Sequence, residues 1–192
     1  MLRPLVASLP FVVLAASARA SELDDLLARG EVSLIESTAD GGLQQVTTFS
    51  RIHAPVAGVW AKLIDFASYE TWMPQVATSD EVERTEASVT VDWSIKVPGP
   101  NVNFRARYDL EPVAYKVTAT GVSGSVAGGV WEWVLKDEGA TTFVTRTTYA
   151  SAVVDTWIVR QFDDEAHSLE LGINAASPII EVRGLKAAVE GK

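Results

Sequence analysis

The chain of 192 residues contains no cysteine. No disulfide can staple it, and no thiolate zinc site can form. Its two histidines, His53 and His167, lie far apart in sequence and read as surface or structural residues, so neither a metal nor a cofactor is expected. Basic residues are also scarce, 16 against 25 acidic ones, for a net charge of −9. A surface of that sign repels nucleic acid and anionic headgroups over a screening length of ~8 Å. Nucleic acid is therefore set aside as a partner. Past the first twenty residues no segment is long and apolar enough for a membrane span, which needs ~20 apolar residues.

What the chain does have begins with an export signal. Arg3 adds positive charge beside the amino terminus, Leu5 to Ala16 is an apolar run, and Ala18-Arg19-Ala20 offers a small-x-small cleavage site. Residues 1–20 read as a signal peptide, with an uncleaved anchor as the competing reading; cleavage makes the expected compartment periplasmic or secreted, with no stable membrane insertion afterwards. Without Arg3 and Arg19, 14 basic residues remain and the net charge becomes −11. Residues 21–42 read as an N-terminal extension or hairpin, and 43–192 as one domain. A chain of this length buries roughly 70% of its unfolded surface, enough for a core to hold without staples.

The hydrophobic period changes along the chain. Ser21 to Arg29 suits a short helix ending at Gly30. Glu31 to Glu36 and Leu43 to Ile52 read as strands around a turn at Thr38 to Gly42. Pro55 then suits the first position of a helix. Val56, Val59, Trp60, Leu63 and Ile64 share one face of it, which puts Trp60 in the core. After a break at Asp65 to Ser68, Ser68 is placed to cap a second short helix carrying Tyr69, Trp72 and Met73. From Val76 to Ser151 the period is two. Val89, Val91, Trp93, Ile95 and Val97 alternate with polar residues, as do Phe104, Ala106, Tyr108 and Leu110. Successive strands with short turns predict an antiparallel meander, apolar on one face. Asp92, Arg105, Arg107 and Asp109 fall on the other face, where ion pairs contribute little. Arg146 and Glu132 are spaced to form another such pair. The parity of the last strand stays open: either Phe143, Thr145, Thr147 and Tyr149 point inward, or Val144, Arg146 and Thr148 do. An inward Arg146 would suit an acidic headgroup. Gly121 to Gly129 (GVSGSVAGG) has no Lys-Ser/Thr and no following helix, so it reads as a hairpin loop or bulged strand end, not a phosphate loop. Finally Ile158, Phe162, Ala166, Leu169, Ile173, Ala176 and Ile180 trace a helical stripe with Asp155 as a cap. Pro178 predicts a kink, or a restart capped by Ser177, and a last segment reaching about Glu190.

The element order, together with Ile52-x-Ala54-Pro55, Val59-Trp60, Leu63, Asp65-Phe66, Tyr69, Trp72-Met73-Pro74 and Val76, resembles the START/Bet v 1-like (SRPBCC) superfamily. Gly128-Gly129-Val-Trp131-x-Trp133 and Arg183-Gly-Leu185-Lys186-x-x-x-Glu190 add to the likeness, which runs from about Gln45 to Glu190. Within the superfamily, the likeness is to the polyketide cyclase/dehydrase and coenzyme Q-binding branch. The resemblance implies an α+β helix-grip fold: a curved antiparallel sheet wrapped around a long C-terminal helix, with two small helices after the first strand and a cavity inside. It also implies an apolar small-molecule ligand. Residues expected to line that cavity are Trp72, Trp93, Phe104, Tyr108, Trp131, Trp133 and Phe162; each large ring also suits plain core filling.

No nucleophile–base pair, G-x-S-x-G elbow or separated carboxylate pair appears, so no catalytic residue is assigned. Three functions stay open. One is an exported carrier of a lipid, quinone or polyketide-like compound, exchanging cargo with a membrane or protein partner transiently. Another is a cyclase/dehydratase-like enzyme on an apolar substrate. The third is a stress or interaction module with a closed core. The lack of a catalytic motif favours a binding protein over an enzyme.

Overall fold

The computed structural model describes residues 22–39, 42–97, 99–149 and 166–191. The proposed signal peptide and the positions Asp155, Ile158 and Phe162 lie outside them, as do the side chains of Ala166, His167, Leu169 and Ile173.

A short helix α1 (22–27) leads through Gly30 into β1 (Val32–Ser37) and β2 (Leu43–Ile52), which form a hairpin. Next come α2 (Val56–Leu63), a 3-10 turn (Phe66–Ser68) and α3 (Tyr69–Trp72). Six strands follow: β3 (Val76–Arg84), β4 (Ser88–Ile95), β5 (Val102–Glu111), β6 (Lys116–Gly124), β7 (Val130–Asp137) and β8 (Thr142–Tyr149). The chain ends in α4 (Ala166–Glu190).

All eight strands join one antiparallel sheet in the order β1-β2-β8-β7-β6-β5-β4-β3. β2 lies near one edge and β3 forms the other, so the α2–α3 segment must cross the sheet between them. Its apolar residues meet the sheet's inner face on the way. Register shifts within the β3–β4 and β5–β6 pairs add local twist and curvature. The connection from β6 to β7 is tight. A side chain on Gly121 would overlap the Val126 carbonyl, and Gly124 and Gly128 take φ of +79° and +80°. The Gly128 amide donates to the Gly121 carbonyl at 2.9 Å. The glycine-rich stretch is thus the β6–β7 hairpin, for backbone reasons.

The alternation predicts the inner face of β4 to β6 well. Val89, Val91 and Trp93 are buried with Ala106, Tyr108, Leu110, Val117 and Ala119. On β8 the open parity resolves to Thr142, Val144, Arg146 and Thr148 inward. Their outward neighbours are not all bare: Phe143 packs on Phe49 at 5.9 Å, with the Arg51 guanidinium over its ring. α2 buries Val56, Val59, Trp60 and Leu63 as its spacing predicts, and Trp60 meets Tyr115 edge-on at 5.7 Å.

Three local expectations need correction. Pro55 occupies the position before α2, with Val56 first in the helix. Ser68 sits at the N-cap of α3, but its hydroxyl does not cap; it donates back to the Asp65 carbonyl and accepts from Lys62 and Trp72. The stripe on α4 is out of phase: Ala176 and Ile180 are exposed, the latter at 47%, while Asn174, Pro178, Val182 and Leu185 are buried. Pro178 stands inside one continuous helix, so no restart at Ser177 occurs. Without an N–H it leaves the Asn174 carbonyl one intrahelical bond short.

Candidate functional site

The inner face of the sheet carries a connected series of aromatic rings. Phe66, brought in by the 3-10 turn, lies 4.3 Å from Tyr108 and 5.5 Å from Tyr69 between ring centroids. Tyr69 reaches Trp72 at 4.4 Å and Trp93 at 5.2 Å. Trp93 leads to Phe104 at 6.3 Å, and Trp131 touches both Phe104 and Tyr108, at 6.4 and 6.2 Å. Strand pairing explains the cluster. Trp93 stands opposite Phe104 on β4 and β5, and the inward parity of β5 and β7 places Tyr108 and Trp131 beside them.

The predicted cavity residues therefore mostly meet, though not in the same way. Trp93, Tyr108 and Trp133 are buried, whereas Trp72, Phe104 and Trp131 are half-buried. Phe104 and Trp131 lie at the end of the sheet from which the chain leaves β8. Trp72 is held by two elements. A Cβ built on Gly184 of α4 would sit 3.5 Å from its ring, and the Lys62 ammonium lies 5.4 Å from the ring centroid. It thus fastens α3 to α4 while touching the ring series through Tyr69. Phe162 lies outside the described residues.

Polar groups punctuate this face. The Tyr69 hydroxyl donates to the Leu63 carbonyl at 2.7 Å, and the Ser79 hydroxyl donates to the Phe66 carbonyl. Burial, more than any neighbour, pushes both the Tyr69 and Tyr108 phenols well up, and the Glu181 carboxylate pushes in the same direction. Both remain neutral hydroxyls throughout the physiological range. Trp93 Nε1 faces the Tyr108 hydroxyl without closing a hydrogen bond to it.

Arg146 is the largest departure from an apolar interior. It is 3% exposed. Its Nε donates to Glu181 Oε2 on α4 at 2.7 Å, and its Nη1 donates to the Thr147 carbonyl at 2.7 Å and to Thr148 Oγ1 at 3.1 Å. The guanidinium stands 5.2 Å from the Trp133 ring centroid and 6.0 Å from that of Trp131. The expected pair with Glu132 does not form, because Glu132 lies on the outer parity of β7 and bonds to Lys116 and Tyr149. Outward pairs predicted for the sheet do form: Arg105 with Asp92 across strands, and Arg107 with Asp109 along one.

Sequence reasoning missed Glu181. A helical phase through Asn174, Pro178, Val182 and Leu185 would have placed it against the sheet, but two of those four residues carry no apolar signal. Two open recesses are present. One, of about 390 Å³, lies at the β4–β5 end of the sheet, lined by Asp92, Ser94 and Arg105 and also by Trp93 and Phe104 of the ring series. The other, of about 420 Å³, lies between α1, His53 and Lys186. Among the described residues no His, Asp and Glu group is placed to hold a metal ion, and no helix is long and apolar enough to cross a membrane.

A curved eight-stranded antiparallel sheet lying against a long C-terminal helix defines the helix-grip α+β fold of the START/Bet v 1 superfamily. The chain belongs to the family described as polyketide cyclase / dehydrase and lipid transport, which it matches over residues 52–167, more than half its length. No curated protein sequence matches it. Among solved structures it is similar to the Zhui aromatase/cyclase from Streptomyces sp. R1128, at 18% identity and a TM-score of 0.63, covering 77% of this chain and 93% of that one. It is also similar to a STAR-related lipid transfer protein from Xanthomonas axonopodis, at 18% identity and a TM-score of 0.61, covering 84% and 94%. Human STARD10 aligns at 11% identity and a TM-score of 0.58, covering 84% and 69%. At these identities the likeness is one of fold.

Proposed function

We propose that the chain is an exported carrier that holds an apolar small molecule, a lipid, quinone or polyketide-like compound, between the sheet's aromatic face and α4. The observation that carries the reading is the ring series itself. It runs unbroken from buried Phe66, Tyr108 and Trp93 to half-buried Phe104 and Trp131 at one end of the sheet. Rings left half-open at the edge of a buried aromatic face offer apolar surface to a ligand. Covering that surface yields ~25 cal/mol per Å². Neutral hydroxyls and a buried guanidinium supply the few polar contacts that fix orientation. The family's description, which includes lipid transport, supports the same reading. The periplasm or the outside of the cell is the proposed compartment, on the strength of the leader pattern in residues 1–20.

A second reading, cyclase-type catalysis, draws on one observation: Tyr108 is kept neutral beside the charges of Arg146 and Glu181, where its hydroxyl can donate to a substrate carbonyl. Mass spectrometry of an organic extract, taken from protein exported and purified without detergent, tests the carrier reading. A stoichiometric apolar compound is expected, and is lost from a folded Tyr108→Ala/Trp131→Ala variant. An empty extract, joined to failure of added fatty acids, quinones and aromatic polyketides to bind, would overturn it. Chemical conversion of a bound compound on incubation would favour the enzyme.

A further inference from the structure

Two arginine–carboxylate pairs in this protein differ in a way that bears on the ligand. On the outer face, Arg105 grips Asp92 with two parallel bonds, Nε to Oδ1 at 2.6 Å and Nη2 to Oδ2 at 2.7 Å. Inside, Arg146 meets Glu181 with one, Nε to Oε2 at 2.7 Å, and its Nη2 donates to no group among the described residues. A guanidinium edge made of Nε and Nη2 is the natural seat of a planar carboxylate held by both oxygens. The exposed pair uses that edge fully and the buried pair uses half of it, although a buried charge has more to gain from complete pairing.

We infer that Glu181 occupies, in the ligand-free protein, part of the place that a ligand's own carboxylate takes on Arg146, so that the site selects an apolar molecule with an acidic head. The inference rests on the carrier reading above. The Arg146 side chain is 4% exposed and fixed by Thr147, Thr148 and the Trp131 and Trp133 rings, so the cation cannot leave. The Glu181 side chain is 25% exposed and has a route to water. Exchanging one carboxylate for another keeps the interior charge balanced: the ligand's anion enters as Glu181 turns outward. A neutral amphiphile of the same length leaves the pair closed and receives nothing from Arg146. Glu181 acts here as a specificity residue by competition. It does not contact the ligand.

The test is titration of the folded full chain with palmitate and with hexadecanol, followed by calorimetry. Wild type is expected to prefer palmitate by about tenfold, as one charge-assisted pair allows. Glu181→Gln removes the competitor, and is expected to tighten palmitate by about a further tenfold while leaving hexadecanol within about twofold. Glu181→Asp, one methylene too short to reach Arg146, shifts the ratio the same way and covers a folding failure of the first variant. Adding Arg146→Gln to Glu181→Gln should erase the preference. Equal affinity of wild type for both compounds, or a ratio unmoved by both Glu181 variants, overturns the inference while leaving the carrier reading intact. Binding of neither compound to any folded variant also overturns the inference, and the carrier reading falls with it only if quinones and aromatic polyketides fail to bind as well.

Discussion

The Arg146–Glu181 pair makes an unequal demand on its two partners, and the inequality can be measured. The Arg146 side chain is 4% exposed and that of Glu181 25%. Replacing Glu181 with Leu strands a guanidinium between Trp131 and Trp133, and stranding a buried charge costs about 3–5 kcal/mol. Replacing Arg146 with Met leaves a carboxylate that can turn to water. What is lost is then mainly hydrogen bonding at Thr147 and Thr148, on the order of 1–2 kcal/mol. The double variant Arg146→Met/Glu181→Leu buries apolar side chains in the same space and is expected within about 1 kcal/mol of wild type. Urea unfolding followed by far-ultraviolet circular dichroism gives the three differences. At ~2–4 °C per kcal/mol for a domain of this size, Glu181→Leu alone should lower Tm by roughly 10 °C. The reasoning fails if Arg146→Met costs as much as Glu181→Leu, or if the double variant costs the sum of the singles.

Two further changes probe the frame around the site. Trp72→Ala removes a half-buried ring in contact with Gly184 and Lys62, and should cost about 2–3 kcal/mol, below the ~3–5 of a fully buried Trp; Trp72→Phe should recover most of the loss in the same unfolding assay. On the outer face, burial pushes the Glu132 carboxyl up, but hydrogen bonds from Lys116 and Tyr149 outweigh it and hold the group below its ordinary value of 4.5. A lowered folded-state value means stability that is fully present above about pH 4.5 and lost as pH falls through the folded value. Glu132→Gln should therefore lower Tm slightly at pH 7 and leave it unchanged at the acid end, which flattens the acid limb of a Tm-against-pH curve; an unchanged acid limb would show that the Lys116–Glu132–Tyr149 contact contributes nothing.

Much of this architecture was legible in the sequence because each half-buried strand writes its inner face as alternation. Val89-x-Val91-x-Trp93 and Phe104-x-Ala106-x-Tyr108-x-Leu110 state their orientation outright. β8 does not, since both of its parities mix apolar and threonine residues. Its inward one also holds an arginine, which the general rule sends to water. Burial of Arg146 is satisfied by Glu181, a partner 35 positions away on α4, and no local pattern announces a pairing at that distance. α4 misled for a related reason. Its buried positions include Asn174 and Pro178, while the apolar Ile180 faces outward beside Glu181, so the strongest periodic signal follows the wrong side of the helix. The aromatic cluster was foreseeable residue by residue, yet the division between buried Trp93 and half-open Phe104 and Trp131 depends on strand register, which spacing within a strand does not encode.

The central claim is that an apolar ligand lies against the inner aromatic face. Intermolecular nuclear Overhauser effects between labelled protein rings and the acyl protons of bound palmitate test it most directly. The account predicts cross-peaks to Trp93, Tyr108 and Trp131. Stoichiometric binding with cross-peaks confined to apolar side chains of the outer face, such as Phe49, Phe143 and Leu34, would contradict it.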